Sequence, residues 1–263
     1  MSGAPAAPAG EGSWFHRQLR AFLTGVMFLT RLPCPAWVGH DAEYLARSTV
    51  YFPLIGLMVG AAGAAGYWVG SLAWSPVMAS IAALSATVWL TGAFHEDGLA
   101  DSFDGMGGGW TPDEMLTIMK DSRMGTYGTI ALLLVVFAKL AALSEMFPID
   151  AMPAIVAGHV LGRWSSLPLI WRLPYVQHSG SKSKPFAASV TTGRLMAGTL
   201  LMLVIVAALL GWAAVPVIGT VLGVTVVGGW YLRRVLGAVN QLVEVATYLV
   251  LVGDFARLLP GGT

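Results

Sequence analysis

The sequence predicts an all-α, polytopic membrane helical bundle of about six to seven spans, with an interfacial helix near the N-terminus and an acidic segment at the cytoplasmic face. Three observations predict it. Hydrophobic residues make up 56% of the 263 and charged residues 11%, with a mean hydropathy of +0.70, whereas a soluble domain carries about 25% charge. Apolar runs of about 20 residues, the length needed to cross a bilayer, recur from Ser48 onward. Glu96, Asp97, Asp101, Asp104, Asp113, Glu114 and Asp121, half of the 14 acidic residues, crowd into residues 94–128.

Composition also excludes some classes. A net charge of +1 leaves no basic footprint for nucleic acid. The single cysteine, Cys34, lies between Pro33 and Pro35; it excludes an intramolecular disulfide and reads as a turn residue.

Residues 1–13 are mostly Ala, Gly and Pro and read as a disordered tail without the basic start of a signal peptide. Residues 14–259 read as a single helical membrane domain. Between Trp14 and Arg31, Phe15, Leu19, Phe22, Val26 and Leu29 form one helical stripe with Arg17 and Arg20 off it, which suits an interfacial helix stopped by Pro33 and Pro35. The first span is Ser48 to Leu72, where Gly56-x-x-x-Gly60 and Gly66-x-x-x-Gly70 permit close helix contact. The second is Trp74 to Phe94, and the acidic segment follows at its end. The run Met106-Gly-Gly-Gly-Trp110 should break that segment as a flexible turn. Thr111-Pro-Asp-Glu114 then starts a short helix, with Thr111 at the N-cap, Pro112 at the first position and Glu114 closing a capping box.

Gly125 to Met146 is the third span, with Lys139 inside it, and Ala151 to Trp171 the fourth, with His159 and Arg163 one turn apart. Intramembrane cations face the bundle interior and pair, so Lys139, His159 and Arg163 either bind a phosphate or neutralise acids. After a polar loop, residues 172–194, come Leu195 to Trp212, Val215 to Tyr231 with Gly219-x-x-x-Gly223, and Val235 to Val252. In the last, Asn240 and Glu244 form an inward polar pair. With seven spans, Arg17, Arg20, Arg31, Arg47, the acidic segment, the 172–194 loop, Arg233 and Arg234 share one face, which the positive-inside rule makes cytoplasmic.

Asp97, Asp101 and Asp104 are spaced i, i+4, i+7, so a helix points all three the same way. Three carboxylates on one face repel unless a proton or cation compensates them. Hard divalent cations take oxygen ligands, and Mg²⁺ is held by a few carboxylates plus waters and substrate phosphates. The spacing therefore points to a Mg²⁺-dependent phosphate site; the plainer reading is an acidic helix end facing water.

The stretch Phe94-His-Glu-Asp-Gly-Leu-Ala-Asp-Ser-Phe-Asp-Gly105 and the stretch Met119-Lys-Asp-Ser-Arg-Met-Gly-Thr-Tyr-Gly128 resemble the signature of the cobalamin synthase family, the adenosylcobinamide-GDP ribazoletransferases. Weaker likeness extends from Phe28-Leu-Thr-Arg-Leu-Pro33 and Phe52-Pro-Leu-Ile-Gly56 to Gly237-Ala-Val-Asn-Gln-Leu-Val-Glu244. The resemblance implies a multi-pass enzyme of the bacterial cytoplasmic (inner) membrane that requires Mg²⁺. Its implied substrates are adenosylcobinamide-GDP and α-ribazole or its 5′-phosphate, with GMP expelled. A homo-oligomer is left open.

Phosphoryl-type transfer requires in-line oxygens and stabilised charge, which two metal ions about 3.5–4 Å apart supply. Asp97, Asp101, Asp104 and Asp121 are the candidate metal ligands. His95 is the candidate base, although a continuous helix points it almost opposite Asp97, so a capping or substrate-contact role is equally open. Lys120 and Arg123 would hold the pyrophosphate. Lys139, His159, Arg163, Asn240 and Glu244 complete the candidate substrate contacts. Asp101-Ser-Phe-Asp104-Gly105 also fits part of the CDP-alcohol phosphotransferase pattern, the nearest alternative enzyme. A cation or proton transporter using the same intramembrane charges is a second alternative; it is disfavoured because the acids cluster at one membrane face.

One departure stands out. Members of that family carry a Gly-Gly-x-Thr-Gly-Asp turn shortly before the Gly-Ala-x-Asn of the C-terminal block, and here Leu232-Arg233-Arg234-Val235-Leu236 takes its place. Two cations where an acid is expected would weaken a metal site by repulsion, so this chain is expected to insert but to turn over slowly.

Overall fold

The bundle is assembled around one helix that is buried on nearly every side. The computed structural model describes residues 13–172, 190–231 and 236–253. Its helices are α1 (Trp14–Leu29), α2 (Ala42–Ser48), α3 (Phe52–Ser71), α4 (Pro76–Thr91), α5 (Phe94–Gly108), α6 (Pro112–Ile118), α7 (Thr126–Glu145), α8 (Pro148–Arg172), α9 (Thr192–Leu210), α10 (Ala214–Tyr231) and α11 (Leu236–Val252). No strand occurs among the described residues. The expected tail, most of the 172–194 loop, and the departure at 232–235 lie outside the described residues.

α8 is the central helix, packed against α3, α9, α10 and α11. Every residue from Ala154 to Leu167 is buried, polar ones included. Contact with α3 is backbone to backbone: a Cβ at Gly56 would lie 2.4 Å from the His159 carbonyl oxygen, and one at Gly60 would lie 2.6 Å from the Val156 Cα. The first glycine pair therefore acts as the small-residue spacing predicts. Gly219 and Gly223, with the same spacing, meet nothing within 4 Å.

By length and composition, three helical stretches among the described residues can cross a membrane: Ala42–Ser71, Thr126–Glu145 and Thr192–Trp230, the last taking in both α9 and α10, with a fourth if α4 and α5 are counted together. That is fewer than the six to seven expected, for physical reasons. α4 has only 16 residues. α8 carries the buried polar residues His159, Arg163, Ser165 and Ser166, while the 17-residue α11 carries Asn240, Gln241 and Glu244. Both helices present those residues to protein, so they need not be apolar all round.

One local expectation is corrected. α1 stops at Leu29, ahead of the prolines, where Thr30 turns extended (φ −140, ψ 167) and its N–H and hydroxyl both close onto the Val26 carbonyl. The glycine run ends α5 as expected: the helix takes in Gly107 and Gly108 and stops at Gly109, whose backbone is extended (φ −105, ψ 136). The helix's glycines also admit neighbours: Gly105 lies against Met119, and Gly107 against the Tyr127 ring. The capping box of α6 forms as predicted.

α4 and α5 meet at 88°. Gly92 (φ 70) and Ala93 (φ 59) make the corner. Ala93 is the one described non-glycine residue in the left-handed region, a conformation that costs a β-carbon-bearing residue on the order of 1–2 kcal/mol. The end of α1 holds this corner in place. Arg31 N–H donates to the Leu90 carbonyl at 2.8 Å, and the Arg31 side chain fills the space beside Gly92 that a Cβ would need. α5 therefore runs nearly perpendicular to α4.

Gly60→Leu forces a side chain into the α8 backbone and should destabilise the protein by about 1–3 kcal/mol or more, whereas Gly223→Leu should be close to neutral. Thermal unfolding of both variants in the same detergent checks the contrast, and equal midpoints would contradict the packing.

Candidate active site

α5 has two chemically different sides. Leu99 and Ser102 are buried in the bundle, together with His95. On the other side Asp97 is exposed, Asp101 half-buried and Asp104 buried. The three aspartates share a face as the spacing predicts, but the start of α7 covers the end of that face. Partial burial, then the neighbouring charges of Asp97 and Asp104, raise the Asp101 carboxyl above the usual carboxylate range.

Asp104 is turned onto backbone: its Oδ2 accepts from Gly125 N–H at 2.7 Å and its Oδ1 from Gly128 N–H at 2.8 Å. Asp121 lies in the loop after α6, where its two oxygens accept from the Arg123 backbone N–H, Nε and Nη2 at 2.6–3.1 Å. Those hydrogen bonds hold the Asp121 carboxyl down at about 2. Lys120 is exposed beside it. Among the described residues, no three His, Cys, Asp or Glu side chains come together as a closed ligand set.

The predicted intramembrane cations converge elsewhere, on Glu244 of α11. Lys139 Nζ on α7 lies 2.6 Å from Glu244 Oε2 and 2.5 Å from Gln241 Oε1. On α8, His159 Nδ1 lies 2.9 Å from Glu244 Oε1, and Arg163 donates to the same oxygen. Gln241 Nε2 then donates to Glu96 Oε1 on α5 at 3.1 Å. Three helices thus meet at one carboxylate, and Gln241 extends the network to α5. The formal charges balance, two cations (Lys139, Arg163) against two anions (Glu244, Glu96), as burial requires. Of the two readings open for the cations, the geometry realises neutralisation of an acid.

His95 belongs to this inner cluster and is turned away from Asp97. It is buried, with neither ring nitrogen hydrogen-bonded. Asn240 is also buried with neither side-chain atom partnered, and it packs on Gly162, where a Cβ would lie 3.0 Å from Asn240 Oδ1. Glu96 and Gln241 carry the link to α5 without having been singled out as site residues. The signal was present: placing Asp97, Asp101 and Asp104 on one face of a helix turns Glu96 away from it, and Gln241 lies three residues from Glu244 on the same helix face.

Removing one member of a buried charge network leaves the others uncompensated, typically at a cost of about 3–5 kcal/mol. Glu244→Gln, which strands Lys139 and Arg163, should therefore destabilise the protein more than Lys139→Met. Denaturation midpoints in one detergent give the order, and a Glu244→Gln variant as stable as the parent would refute the hub.

Comparison with known proteins finds a match over residues 21–252 to the family model described as cobalamin-5-phosphate synthase. The chain is 39% identical over 255 residues to a Shewanella frigidimarina protein named adenosylcobinamide-GDP ribazoletransferase, covering 92% of this chain and 97% of that protein. Proteins of the same name from Shewanella piezotolerans (40% over 255 residues, 91% of this chain, 96% of that protein) and Leptothrix cholodnii (38% over 260 residues, 88% and 94%) are similarly alike. No solved structure matches.

Proposed function

The chain belongs to the cobalamin-5-phosphate synthase family and is a transferase of cobalamin biosynthesis, and from that premise we propose the reaction and the residues that serve it. The substrates are adenosylcobinamide-GDP and α-ribazole or its 5′-phosphate. The ribazole 3′ hydroxyl oxygen bonds to the corrinoid-side phosphorus as the P–O bond to GMP breaks. GMP leaves, and the hydroxyl proton passes to water at the exposed side of α5.

The observation that carries this reading is the division of α5. Its inner side is committed to the neutralised Glu244 cluster, while Asp97 and Asp101 stand one turn apart toward the outside. Their donor chemistry fits Mg²⁺, which is commonly held by one or two carboxylates and completed by waters and substrate phosphates rather than by an all-protein cage. When bound, such an ion neutralises charge developing on the transferred phosphoryl group. Asp97 and Asp101 are the residues that would hold it. Lys120 and Arg123 stand in the loop after α6, where the pyrophosphate would be drawn, with Arg123 steadied by Asp121. His95, turned inward, supports the α5 corner rather than taking the proton directly.

The test is GMP release by the purified protein from adenosylcobinamide-GDP and α-ribazole. Chelation should stop the release and Mg²⁺ restore it. Asp97→Asn and Asp101→Asn should each lower the rate by roughly 100-fold or more while the protein still inserts. Near-normal rates in both variants would remove the metal assignment.

The active face is proposed to be cytoplasmic, in the inner membrane. The hydrogen bond from Arg31, just past α1, to Leu90 puts that arginine at the same end of α4 as α5, and the positive-inside rule then orients that end. A cysteine at Gly108 should be labelled only from the cytoplasmic side and one at Pro148 only from the opposite side; labelling of both from one side would overturn the orientation.

A further inference from the structure

Asp104 has the spacing of a third acid in the cluster and the contacts of something else. α7 begins at Thr126 with Gly125 as its N-cap. A helix N-terminus leaves backbone N–H groups without partners, and an N-cap side chain ordinarily accepts from the N–H of the second or third helical residue. Gly125 has no side chain to do so. The Asp104 carboxylate does it from α5, taking the N–H of Gly125 itself and that of Gly128, the third residue of the helix, at 2.7 and 2.8 Å. The approach works only because both positions are glycine: a Cβ at Gly125 would lie 2.3 Å from Asp104 Oδ1, and one at Gly128 would lie 2.4 Å from Asp104 Oδ2 and 2.6 Å from the Ala100 carbonyl oxygen. Asp104 is 9% exposed, whereas Asp97 is open to solvent.

We propose that Asp104 is a positioning residue, the N-cap of α7 supplied by α5, and that the metal-holding role falls to Asp97 and Asp101 without it. Its carboxylate fastens the far end of α5 to α7, while Gln241 holds the near end at Glu96. The acidic face is thereby presented at a fixed angle. The consequence for catalysis rests on the Mg²⁺ reading above; the clamp itself does not.

The two roles have opposite signs in metal-free protein. Removing one of several crowded carboxylates relieves repulsion, so Asp97→Asn and Asp101→Asn should leave the melting temperature in EDTA unchanged or higher. Removing a capping carboxylate should lower it, by on the order of 4 °C. The full-length protein in detergent, stripped with EDTA, is compared as parent, Asp97→Asn, Asp101→Asn, Asp104→Asn and Gly125→Ala. The last keeps every carboxylate, and the three atoms nearest its added Cβ all belong to the Asp104 carboxylate, so it blocks the approach. The local readout is tryptic cleavage after Arg123, in the loop that the clamp closes. Asp104→Asn and Gly125→Ala should be cut several-fold faster than the parent, and the other two should not.

With Mg²⁺ present, Asp101→Asn should raise the ion concentration for half-maximal GMP release about tenfold or more, and Asp104→Asn should lower the maximal rate without moving that concentration. An Asp104→Asn protein as stable and as resistant to trypsin in EDTA as Asp101→Asn overturns the clamp. If Asp104→Asn does not fold, Gly125→Ala decides: faster cleavage supports the clamp, and parental behaviour overturns it. Should Mg²⁺ change neither stability nor rate in the parent, the metal reading fails while the EDTA comparison still decides the clamp.

Discussion

A carboxylate buried in a helical bundle is tolerable only when its charge is met within hydrogen-bonding distance, and Glu244 imposes that demand on this fold. The idealised cost of placing a lone carboxylate in a medium of low dielectric is on the order of 20 kcal/mol, well beyond what a bundle of this size can absorb. Lys139 from α7 and Arg163 from α8 meet the charge directly. The rest of the architecture follows from bringing those side chains together. α8 must be central to reach α11, and glycine at Gly56 and Gly60 lets α3 close over the back of α8. Gly158 and Gly162 on the same helix make room for Tyr248 and Asn240 of α11. Polar convergence and glycine packing are thus two sides of one arrangement, because residues as large as Arg163 can share a bundle core only where backbones elsewhere approach closely.

The acidic helix is fixed to this arrangement at three places. Arg31 braces the Gly92–Ala93 corner, Glu96 is bonded to Gln241, and Asp104 receives the start of α7. Each fastening uses a different physical device: a backbone bond at a left-handed turn, a side-chain amide bridging two carboxylate systems, and a cap supplied from another helix. A helix so held has little freedom to turn, and the strained φ of Ala93 persists because its surroundings over-determine it.

Much of this was legible in the residues. The all-helical class, the short helix opened by Thr111 and Glu114, and the close helix contact at Gly56 and Gly60 each follow from a local rule that needs no partner. The shared face of Asp97, Asp101 and Asp104 follows from helical periodicity in the same way. What was not legible depends on a second element. Nothing in the spacing of Asp104 reveals that Gly125 and Gly128 lie over it, and nothing near Gly219 and Gly223 reveals that no helix comes to meet them. The end of α5 in the glycine run was legible as well, since glycine is a poor helix former, but the packing of Met119 and Tyr127 against Gly105 and Gly107 was not. α8 and α11 fall outside a count by apolarity for a related cause: helices that face other protein can be polar where lipid would forbid it.

The distribution of fixed charge carries one further step. Among the described residues, Lys139 and Arg163 are turned to Glu244 and Arg123 to Asp121, rather than to the acidic face of α5. Asp97 and Asp101 are therefore left to face one another across a single turn, and the Asp101 carboxyl is raised by that proximity as well as by burial. A protein could relieve such a pair with one lysine. Among the described residues no cation pairs with it, and on a helix held at three points that keeps the electrostatic attraction available to whatever positive group arrives from outside. The same neutralisation that makes the interior tolerable thus keeps the outer face of α5 negative, and the two halves of the site are coupled through the 3.1 Å bond between Gln241 and Glu96.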